Sequence, residues 1–318
     1  MIKKWFKKLL DLLEKPLPYF FTFSLRPKKA EKIGVVPDDL VSFPKLAIVI
    51  QGPIIYDQDF TFETIQLYKK IFPNAKIILS TWNYEQSTYL QKIKDKLVDV
   101  VLSQPPERAG VSYVNYQIVS SLAGICRAKE LGVEYILKTR TDQRIYHPGA
   151  LEFLVNIVEK FLPANGYKQN KRIVGTSLNT FKFRNYGLSD MNLFGQVDDI
   201  LKYFSLPLDN DGSGFLNLHP AVSEVYLSSN FLRSVGKDLK WTLYDSWEAF
   251  RDNFCVVDEQ SLDLYWYKYS RMKEYRYRRY QKRRNDEPIT FADWFSIFSN
   301  LNRKNLSTIE KDLIRVIP

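Results

Sequence analysis

The stretch "KLAIVIQGPII", residues 45–55, sets the architecture of this chain. Its apolar residues follow one another until Gly52 and Pro53 interrupt the run. A short continuous apolar run indicates a strand buried on both faces, because an exposed face would carry polar residues at alternate positions. Strands of this kind occur in sheets that helices cover on both sides. The run therefore predicts an α/β fold.

Predicted helices and strands alternate along the residues that follow. The helical patterns cover residues 61–72, 84–96 and 115–132, and the strand patterns cover residues 75–82, 98–106 and a segment that begins at residue 135. This order is typical of a mostly parallel sheet with helices on both faces, a Rossmann-like arrangement.

Composition narrows the location and the class of protein. The chain is 45% hydrophobic and 26% charged, which is ordinary for a globular protein. No apolar run approaches the ~18 residues of a membrane-spanning helix, and no stretch resembles a cleaved signal peptide. Only two cysteines and two histidines are present, which argues against a structural zinc site and fits a reducing, cytoplasmic location.

The net charge of +10 is concentrated in two segments. Residues 1–15 hold five Lys against one Asp and one Glu, and residues 268–284 hold nine Lys or Arg against one Glu. The rest of the chain is close to neutral. This pattern predicts two local contacts with anions, not a protein that coats nucleic acid.

The two basic segments differ in character. Residues 1–15 have apolar positions at helical spacing with lysines beside them, which predicts an interfacial helix on an anionic membrane; the alternative is a helix docked on the protein itself. Residues 16–44 contain five prolines and predict a linker. Residues 268–284 alternate Tyr with Arg and Lys, and we predict a helical, basic C-terminal part. We expect them to contact a membrane or an anionic acceptor rather than nucleic acid, and a solvated helix face is the alternative.

The segment "YILKTRTDQRIY", residues 135–146, carries the candidate site. Its charged residues Lys138, Arg140, Asp142 and Arg144 fall at every second position, so a continuing strand would place all four on one face. Ligands of parallel sheets bind at the carboxyl ends of the strands. Three cations with one carboxylate suit a diphosphate, and the carboxylate can hold a divalent metal. A buried salt-bridge network is the alternative.

The same rule brings other residues to this crevice. They are Gln51, Gly52, Pro53, Thr81 and Trp82, at the ends of the first two predicted strands. Gly52 would allow a close approach of backbone to ligand, or it is a plain turn glycine. A P-loop and a dinucleotide-binding G-x-G-x-x-G are absent from the sequence, which argues against a kinase and a nicotinamide enzyme.

Five segments in order resemble the WavE family of lipopolysaccharide-synthesis proteins. They are "IQGPI", "STW", "NYQIVSSLAGICRAKELG", "YILKTRTDQRIY" and "SDMNLFG", and the resemblance runs from about residue 45 to about residue 270. It implies a bacterial glycosyltransferase of surface-polysaccharide assembly with a GT-A-type domain at residues 45–318. A nucleotide-sugar half would cover about residues 45–150 and an acceptor half about residues 151–318.

The resemblance also suggests roles for single residues. The expected donor-binding residues are Gln51, Gly52, Pro53, Thr81, Trp82, Asn115, Lys138, Arg140, Asp142 and Arg144. Typical GT-A enzymes carry Asp-x-Asp where this chain has Thr141-Asp142-Gln143. Asp142 is therefore the expected ligand of Mn²⁺ or Mg²⁺, and metal independence is the alternative, with arginines doing part of the cation's work.

Two acids are candidates for the chemistry. Asp190 precedes a predicted aromatic-glycine turn and would bind sugar hydroxyls or the acceptor; a helix-cap or turn aspartate is the alternative. Glu224 lies near the start of a predicted helix over 219–236 and would deprotonate the acceptor hydroxyl. The alternative is that its negative charge stabilises the N-terminus of this helix through the helix dipole. Lesser candidates, which also suit helix starts, are Asp245, Glu248, Asp258 and Glu259.

The predicted function is transfer of a sugar from a nucleotide-sugar donor to a lipopolysaccharide, O-antigen or capsule acceptor. The protein would act on the inner face of the cytoplasmic membrane, with a glycan or lipid-linked acceptor and no nucleic acid. One alternative is a membrane-associated nucleic-acid or phospholipid binding protein without catalysis. Another is a phosphotransferase or hydrolase that acts on a polyanion.

Overall fold

The computed structural model describes residues 9–10, 12–16, 25–34, 45–218, 221–268 and 287–300. The strands are β1 (Leu46–Gln51), β2 (Lys76–Trp82), β3 (Asp99–Ser103), β4 (Tyr135–Arg140), β5 (Gln143–Ile145), β6 (Ile173–Thr176), β7 (Leu193–Gln196), β8 (Phe254–Val257) and β9 (Leu264–Trp266). The α-helices of the sheet domain are α1 (Phe60–Ile71), α2 (Ser87–Lys94), α3 (Val114–Glu130), α4 (Ala150–Lys160), α5 (Val197–Phe204), α6 (Ser223–Ser234), α7 (Leu243–Asp252) and α8 (Phe291–Asn300).

Seven of the strands form one sheet in the order β3-β2-β1-β4-β7-β6-β8. The pairs β1–β2, β1–β4, β2–β3 and β6–β8 are parallel, and β7 runs antiparallel to both β4 and β6. Six strands therefore end at one edge of the sheet, and β7 begins there. The predicted mostly parallel sheet flanked by helices is confirmed.

The core lies on both faces of the central strands. All six residues of β1 are buried, as its continuous apolar run predicted. Helix α3 lies close against this part of the sheet at Gly124, where an added Cβ would lie 2.5 Å from Val49 and 2.8 Å from Ser80. Both halves of the chain contribute to the sheet, because β4 pairs with β7.

The strand that begins at residue 135 is shorter than predicted. It ends at Arg140, and Gln143–Ile145 form β5 in a separate two-stranded sheet with β9. The backbone N–H of Thr141 still donates to the Gln51 carbonyl at 3.0 Å, but the Asp142 carbonyl already accepts from Tyr267 N–H at 2.9 Å. The prediction that four charges share one strand face is therefore wrong. The aromatic-glycine turn after Asp190 is also wrong, because residues 194–195 lie inside β7.

Part of the predicted linker packs on the domain. Within residues 25–34, the Pro27 carbonyl accepts from Tyr146 Oη at 2.8 Å and the Lys28 carbonyl accepts from Arg144 Nη1 at 3.0 Å. Lys29 Nζ donates to Glu63 Oε1 at 2.9 Å. These contacts tie the segment to α1 and β5.

Most of the two basic segments lies outside the described residues. Residues 9–10 and 12–14 are helical, and Lys268 is the described residue of the second segment. The predicted interfacial helix and basic C-terminal part remain predictions. Over the parts of the chain that the structure describes, no helix combines the length and the apolar character required to cross a membrane.

Candidate active site at the carboxyl edge of the sheet

The sheet topology explains why residues distant in sequence meet at one edge. Strand β4 ends at this edge with Arg140, and the antiparallel β7 begins there, two residues after Met191. Lys138 pairs with Leu193 in the register of the two strands, so the loop that carries Asp190 lies beside the end of β4. Strand β6 also ends here, ahead of Asn179.

Arg140 and Asp142 form a two-point ion pair. Arg140 Nε donates to Asp142 Oδ1 at 2.8 Å, and Arg140 Nη2 donates to Asp142 Oδ2 at 3.0 Å. Trp266 Nε1 donates to the same Oδ2 at 3.0 Å. Burial acts to raise the pKa of Asp142, but the charge of Arg140 and the hydrogen bonds from Arg140 and Trp266 hold it below its usual value. Asp142 is therefore a fixed anion with both oxygens engaged.

This donor set does not suit a divalent cation. Mn²⁺ and Mg²⁺ take several oxygen ligands, and Asp142 already accepts hydrogen bonds at both of its oxygens. Among the described residues, no group of three or more His, Cys, Asp or Glu side chains is arranged to hold a metal. Metal binding by Asp142 stays a prediction, without support from this geometry.

Lys138 supports the loop of Asp190 from below. Its side chain is fully buried, and Nζ donates to the Asp190 carbonyl at 2.6 Å. Nζ also lies 5.4 Å from the ring centroid of Phe204. Burial lowers the pKa of Lys138 to about 8, against the charge of Asp190, which raises it. Lys138 positions the loop and adds positive charge near the end of β4.

Asp190 and Glu224 form an acidic pair opposite Arg140. Asp190 is 2% exposed, and its Oδ2 accepts no hydrogen bond from the described residues. Glu224 lies in the first turn of α6, where Asn179 Nδ2 donates to Oε1 and Arg184 Nη1 lies 3.7 Å from Oε2. Burial and the charge of Asp190 raise the pKa of Glu224 to about 7, although Arg184 and Asn179 act to lower it.

The two pairs act on each other. Burial acts to lower the pKa of Arg140, but the charges of Asp142, Asp190 and Glu224 hold it above its usual value. The structure therefore brings together within electrostatic reach four residues that the sequence proposed for one site. A carboxyl with a pKa near neutrality can take up a proton at physiological pH, and a guanidinium stabilises anionic oxygens.

Sequence reasoning missed Asn179, Arg184 and Trp266. Asn179 follows β6 with φ +67°, and Arg184 Nη1 donates to its carbonyl at 3.3 Å. The rule that strand ends line the site would have found Asn179. No sequence signal pointed to Trp266, which reaches Asp142 only because β9 pairs with β5.

The residues predicted at the ends of β1 and β2 lie at the expected edge. Gly52 has φ +121°, and a Cβ there would lie 3.0 Å from Thr141 Oγ1, so only glycine fits without strain. Gln51 is buried and donates from Nε2 to Ser120 Oγ at 2.8 Å, while Pro53 is exposed. At the end of β2, Thr81 and Trp82 are buried, and Thr81 Oγ1 donates to Glu85 Oε1 at 3.1 Å.

Arg144 does not lie with the other charges. Its Nε donates to Thr64 Oγ1 at 2.9 Å, Nη2 donates to the Phe60 carbonyl at 2.8 Å, and its Cζ lies 4.3 Å from the Phe60 ring centroid. The predicted place of Arg144 beside the diphosphate is therefore corrected: the chain turns after Arg140, and Arg144 ties β5 to α1.

Asn115 is buried completely and serves the loops around it. Its Nδ2 donates to the carbonyls of Arg108 and Asp209 at 3.0 and 2.9 Å, and its Oδ1 accepts from Asp209 N–H at 2.7 Å. These bonds engage both ends of the amide, so Asn115 joins two loops, and its place at the donor stays a prediction. The loops expose Tyr113, which is 72% accessible and lies 6.4 Å from Tyr116 between ring centroids.

The lesser acidic candidates have structural partners. Asp245 pairs with Lys237 at 2.9 Å and accepts from Tyr186 Oη, and Glu248 lies 3.7 Å from Arg251. Asp258 Oδ1 accepts from Phe291 N–H at 3.2 Å, and Glu259 accepts from Ser177 Oγ. The partners recorded for these four acids are thus residues other than Arg140, Asp190 and Glu224.

The fold and the site define an α/β protein whose polar side chains converge at the carboxyl edge of a mostly parallel sheet, where such sheets bind ligands. The chain belongs to the WavE lipopolysaccharide synthesis family, whose model matches residues 46–234, more than half of the chain. The matched span contains Arg140, Asp142, Asp190 and Glu224. The family resemblance predicted from the sequence is confirmed.

Two solved structures are similar over part of the chain. A cytidylyltransferase from Leptospira borgpetersenii serovar Hardjo-bovis is 14% identical over 52% of this chain and 66% of its own, with a TM-score of 0.32. A mannose-1-phosphate geranyltransferase from Thermus thermophilus is 13% identical over 42% of this chain and 40% of its own, with a TM-score of 0.27. The chain thus spans less than two thirds of each, and neither likeness assigns it an activity. No curated protein gives a match.

Proposed function

We propose that this protein is a glycosyltransferase of the GT-A type that acts in surface-polysaccharide synthesis, with a nucleotide-sugar as donor. The observation that carries the proposal is the buried Asp190–Glu224 pair opposite Arg140, at the edge where a parallel sheet binds ligands. Membership of a lipopolysaccharide synthesis family supports the class of acceptor.

In the proposed reaction, Glu224 is the general base. The acceptor hydroxyl attacks the anomeric carbon, the bond from that carbon to the diphosphate oxygen breaks, and the hydroxyl proton passes to the Glu224 carboxylate. A base with a pKa of about 7 is partly ionised at neutral pH and still holds a proton well. The unpartnered Oδ2 of Asp190 is an acceptor for a hydroxyl of the sugar or of the acceptor.

Arg140 has the complementary role. The leaving nucleoside diphosphate gains negative charge as the bond breaks, and a positive group that is already in place stabilises it. Arg140 is held by Asp142, and buried Lys138 adds a second positive charge nearby. Gly52 follows β1 and has no side chain, so it does not crowd Thr141, the residue that follows β4. We therefore infer that the donor binds within residues 45–150 and that Asp190 and Glu224 belong to the acceptor half.

The two basic segments suggest a location. We infer that residues 1–15 and 268–284 bind the anionic inner face of the cytoplasmic membrane and hold the crevice near a lipid-linked acceptor, because stable attachment generally takes two signals. The full chain should float with phosphatidylglycerol vesicles at low salt and less with phosphatidylcholine vesicles, and deletion of residues 1–15 should weaken flotation most. No flotation at low salt would contradict this location.

Turnover of nucleotide-sugars tests the function. The full chain is incubated with UDP-, GDP- or dTDP-linked sugars and with truncated lipopolysaccharide as acceptor. We expect release of nucleoside diphosphate from one donor class, with a gain of one sugar residue in the mass of the acceptor. Binding of RNA or phospholipid without affinity for any nucleotide would favour the non-catalytic alternative. Phosphate release without sugar transfer would favour a hydrolase.

A further inference from the structure

We propose that Arg140, clamped by Asp142 and Trp266, binds the diphosphate of the donor directly, so that recognition of the diphosphate needs no divalent metal. This inference rests on the proposed function, since it assigns one part of that site. It differs from the expectation that Asp142 is a metal ligand.

The hydrogen bonds of Arg140 leave one nitrogen available to a ligand. Nε and Nη2 donate to the two oxygens of Asp142 at 2.8 and 3.0 Å. No acceptor for Nη1 is found among the described residues, and the side chain is 25% exposed. The guanidinium is planar, so two bonds to one carboxylate also fix the direction of Nη1. Arg140 is therefore oriented before any ligand binds.

Both carboxylate oxygens of Asp142, which a metal ion would need as ligands, already accept hydrogen bonds. Trp266 Nε1 and Arg140 Nη2 both donate to Oδ2, and Arg140 Nε donates to Oδ1. A metal ion at either oxygen would displace a hydrogen bond and would lie next to the positive guanidinium. The carboxylate is 6% exposed in the ion pair, so water provides little screening of that repulsion.

The nearby charges favour an anion at this end of the crevice. Lys138 lies beneath the same strand end, and its charge acts on Arg140 as well as on Asp190. Lys268 acts on Asp142, and its Nζ lies 5.9 Å from the Trp266 ring centroid. Three cations therefore surround one carboxylate. Asp190 and Glu224 also act on Arg140, but Asp142 is the carboxylate hydrogen-bonded to it. A diphosphate at Arg140 would meet these cations, whereas a divalent cation bound to Asp142 would lie beside the guanidinium charge.

Trp266 is a positioning residue in this proposal. It belongs to β9, which pairs with β5 in an antiparallel ladder, Gln143 opposite Trp266. Its indole N–H fixes the carboxylate that in turn fixes Arg140. The end of β9 thus connects the diphosphate site to the basic segment that begins at Lys268.

Calorimetric titration with nucleotides tests the proposal. UDP, GDP and dTDP are titrated into the full chain in EDTA and in MnCl₂, and the preferred base is compared as nucleoside, monophosphate and diphosphate. We expect the dissociation constant of the diphosphate to agree within about threefold between EDTA and MnCl₂. Arg140→Ala should weaken the diphosphate by roughly 10- to 100-fold and leave the nucleoside unchanged.

Further variants separate binding from folding. Arg140→Ala leaves Asp142 as an unpaired buried charge, so the double variant Arg140→Gln with Asp142→Asn removes both charges and should show the same loss. Trp266→Phe should weaken the diphosphate by a few fold, with the monophosphate less affected. Arg127→Ala, which breaks a partly exposed pair with Asp99 at 3.0 Å, is the matched control and should leave affinity unchanged.

The outcomes distinguish this inference from the function on which it rests. Diphosphate binding that needs Mn²⁺ and disappears in Asp142→Asn would overturn the inference and leave the glycosyltransferase proposal standing. Unchanged diphosphate affinity in both Arg140 variants would also overturn it. If no diphosphate binds with or without Mn²⁺, the proposed donor class itself fails.

Discussion

The carboxyl edge of the sheet holds two charged pairs of opposite kinds. In the first pair Arg140 and Asp142 carry opposite charges and bind each other at two points, with every oxygen of the carboxylate engaged. In the second pair Asp190 and Glu224 carry the same charge, and Asp190 Oδ2 has no partner among the described residues. The three carboxylates are buried, and the Arg140 side chain is 25% exposed.

The Arg140–Asp142 pair keeps its charges fixed, whereas the Asp190–Glu224 pair can take up and release a proton. An opposite charge at hydrogen-bond distance stabilises the ionised form, so Asp142 stays ionised and Arg140 stays in place. Burial, together with the like charge of Asp190, destabilises the ionised form of Glu224 and raises its pKa to about 7. The first arrangement suits binding of an anion, and the second suits acid–base chemistry. Four predictions test this contrast.

The largest effect should follow from removing the proton acceptor. Glu224→Gln keeps the shape of the side chain but cannot take up the acceptor's proton, so transfer should slow by about 10²- to 10⁴-fold. The affinity for the nucleoside diphosphate should hardly change, because that group lies with Arg140. The measurements are kcat for sugar transfer and a calorimetric titration with the diphosphate.

Glu248→Gln is the matched control for this variant. Glu248 is a half-buried glutamate 3.7 Å from Arg251, and its loss should leave kcat unchanged. Equal rates for Glu224→Gln and the parent protein would remove Glu224 from the chemistry.

The acidic pair should also lower stability above neutral pH. The folded pKa of Glu224, about 7, exceeds its ordinary value of 4.5, so its contribution to stability is complete below pH 4.5 and is lost as pH rises through 7. Glu224→Gln stays neutral at every pH. The free energy of unfolding of this variant, relative to the parent, should therefore rise by up to about 3 kcal/mol between pH 4.5 and pH 8.

Urea denaturation of both proteins at several pH values measures this difference. A constant difference across the range would mean that Glu224 titrates normally in the folded state. In that case the contrast between the two charged pairs would disappear.

A smaller effect should follow from a side chain at Gly52. Its φ of +121° is unfavourable for other residues, and a Cβ would lie 3.0 Å from Thr141 Oγ1, next to Arg140 in sequence. Gly52→Ala should lower the free energy of unfolding by about 1–3 kcal/mol and weaken the diphosphate. Gly34→Ala, with no atom within 4 Å of the new Cβ, is the control that should leave both unchanged. Parent-like stability of Gly52→Ala would show that this strand end tolerates a side chain.

The smallest effect concerns the coupling inside the acidic pair. Asp190→Asn removes the like charge that helps to raise the pKa of Glu224. The acid limb of the pH–kcat profile should move to lower pH by about one unit. The maximal kcat should fall as well if Asp190 binds the sugar, but this does not change the position of the limb. An acid limb at the same pH would show that burial alone raises the pKa. The limb of Arg127→Ala should stay where it is in the parent protein.

Much of the central fold could be predicted from the sequence, because the local patterns there agree with the long-range packing. The apolar run 46–51 became a fully buried strand, and the helical pattern over 115–132 became α3 at Val114–Glu130. The carboxyl-edge rule then placed Arg140 and Asp142 at the same edge of the sheet as Gly52 and Thr81 from sequence position alone. The prediction for Arg144 was wrong, because charged residues at alternate positions do not show at which residue a strand ends.

The sequence determined which residues alternate between strand and helix, which charges stand at strand ends, and which family the chain resembles. These properties depend on side chains close together along the chain, so they can be read there. Only the tertiary structure decided that β7 runs antiparallel beside β4, which brings the loop of Asp190 beside the strand end that carries Arg140. It also decided that Glu224 of α6 lies within electrostatic reach of Arg140 and Asp190. It also decided that Trp266, 124 residues away, fixes Asp142. Burial and neighbouring charges shift the pKa values of Asp142 and Glu224 in opposite directions, and both arise only once the chain has folded.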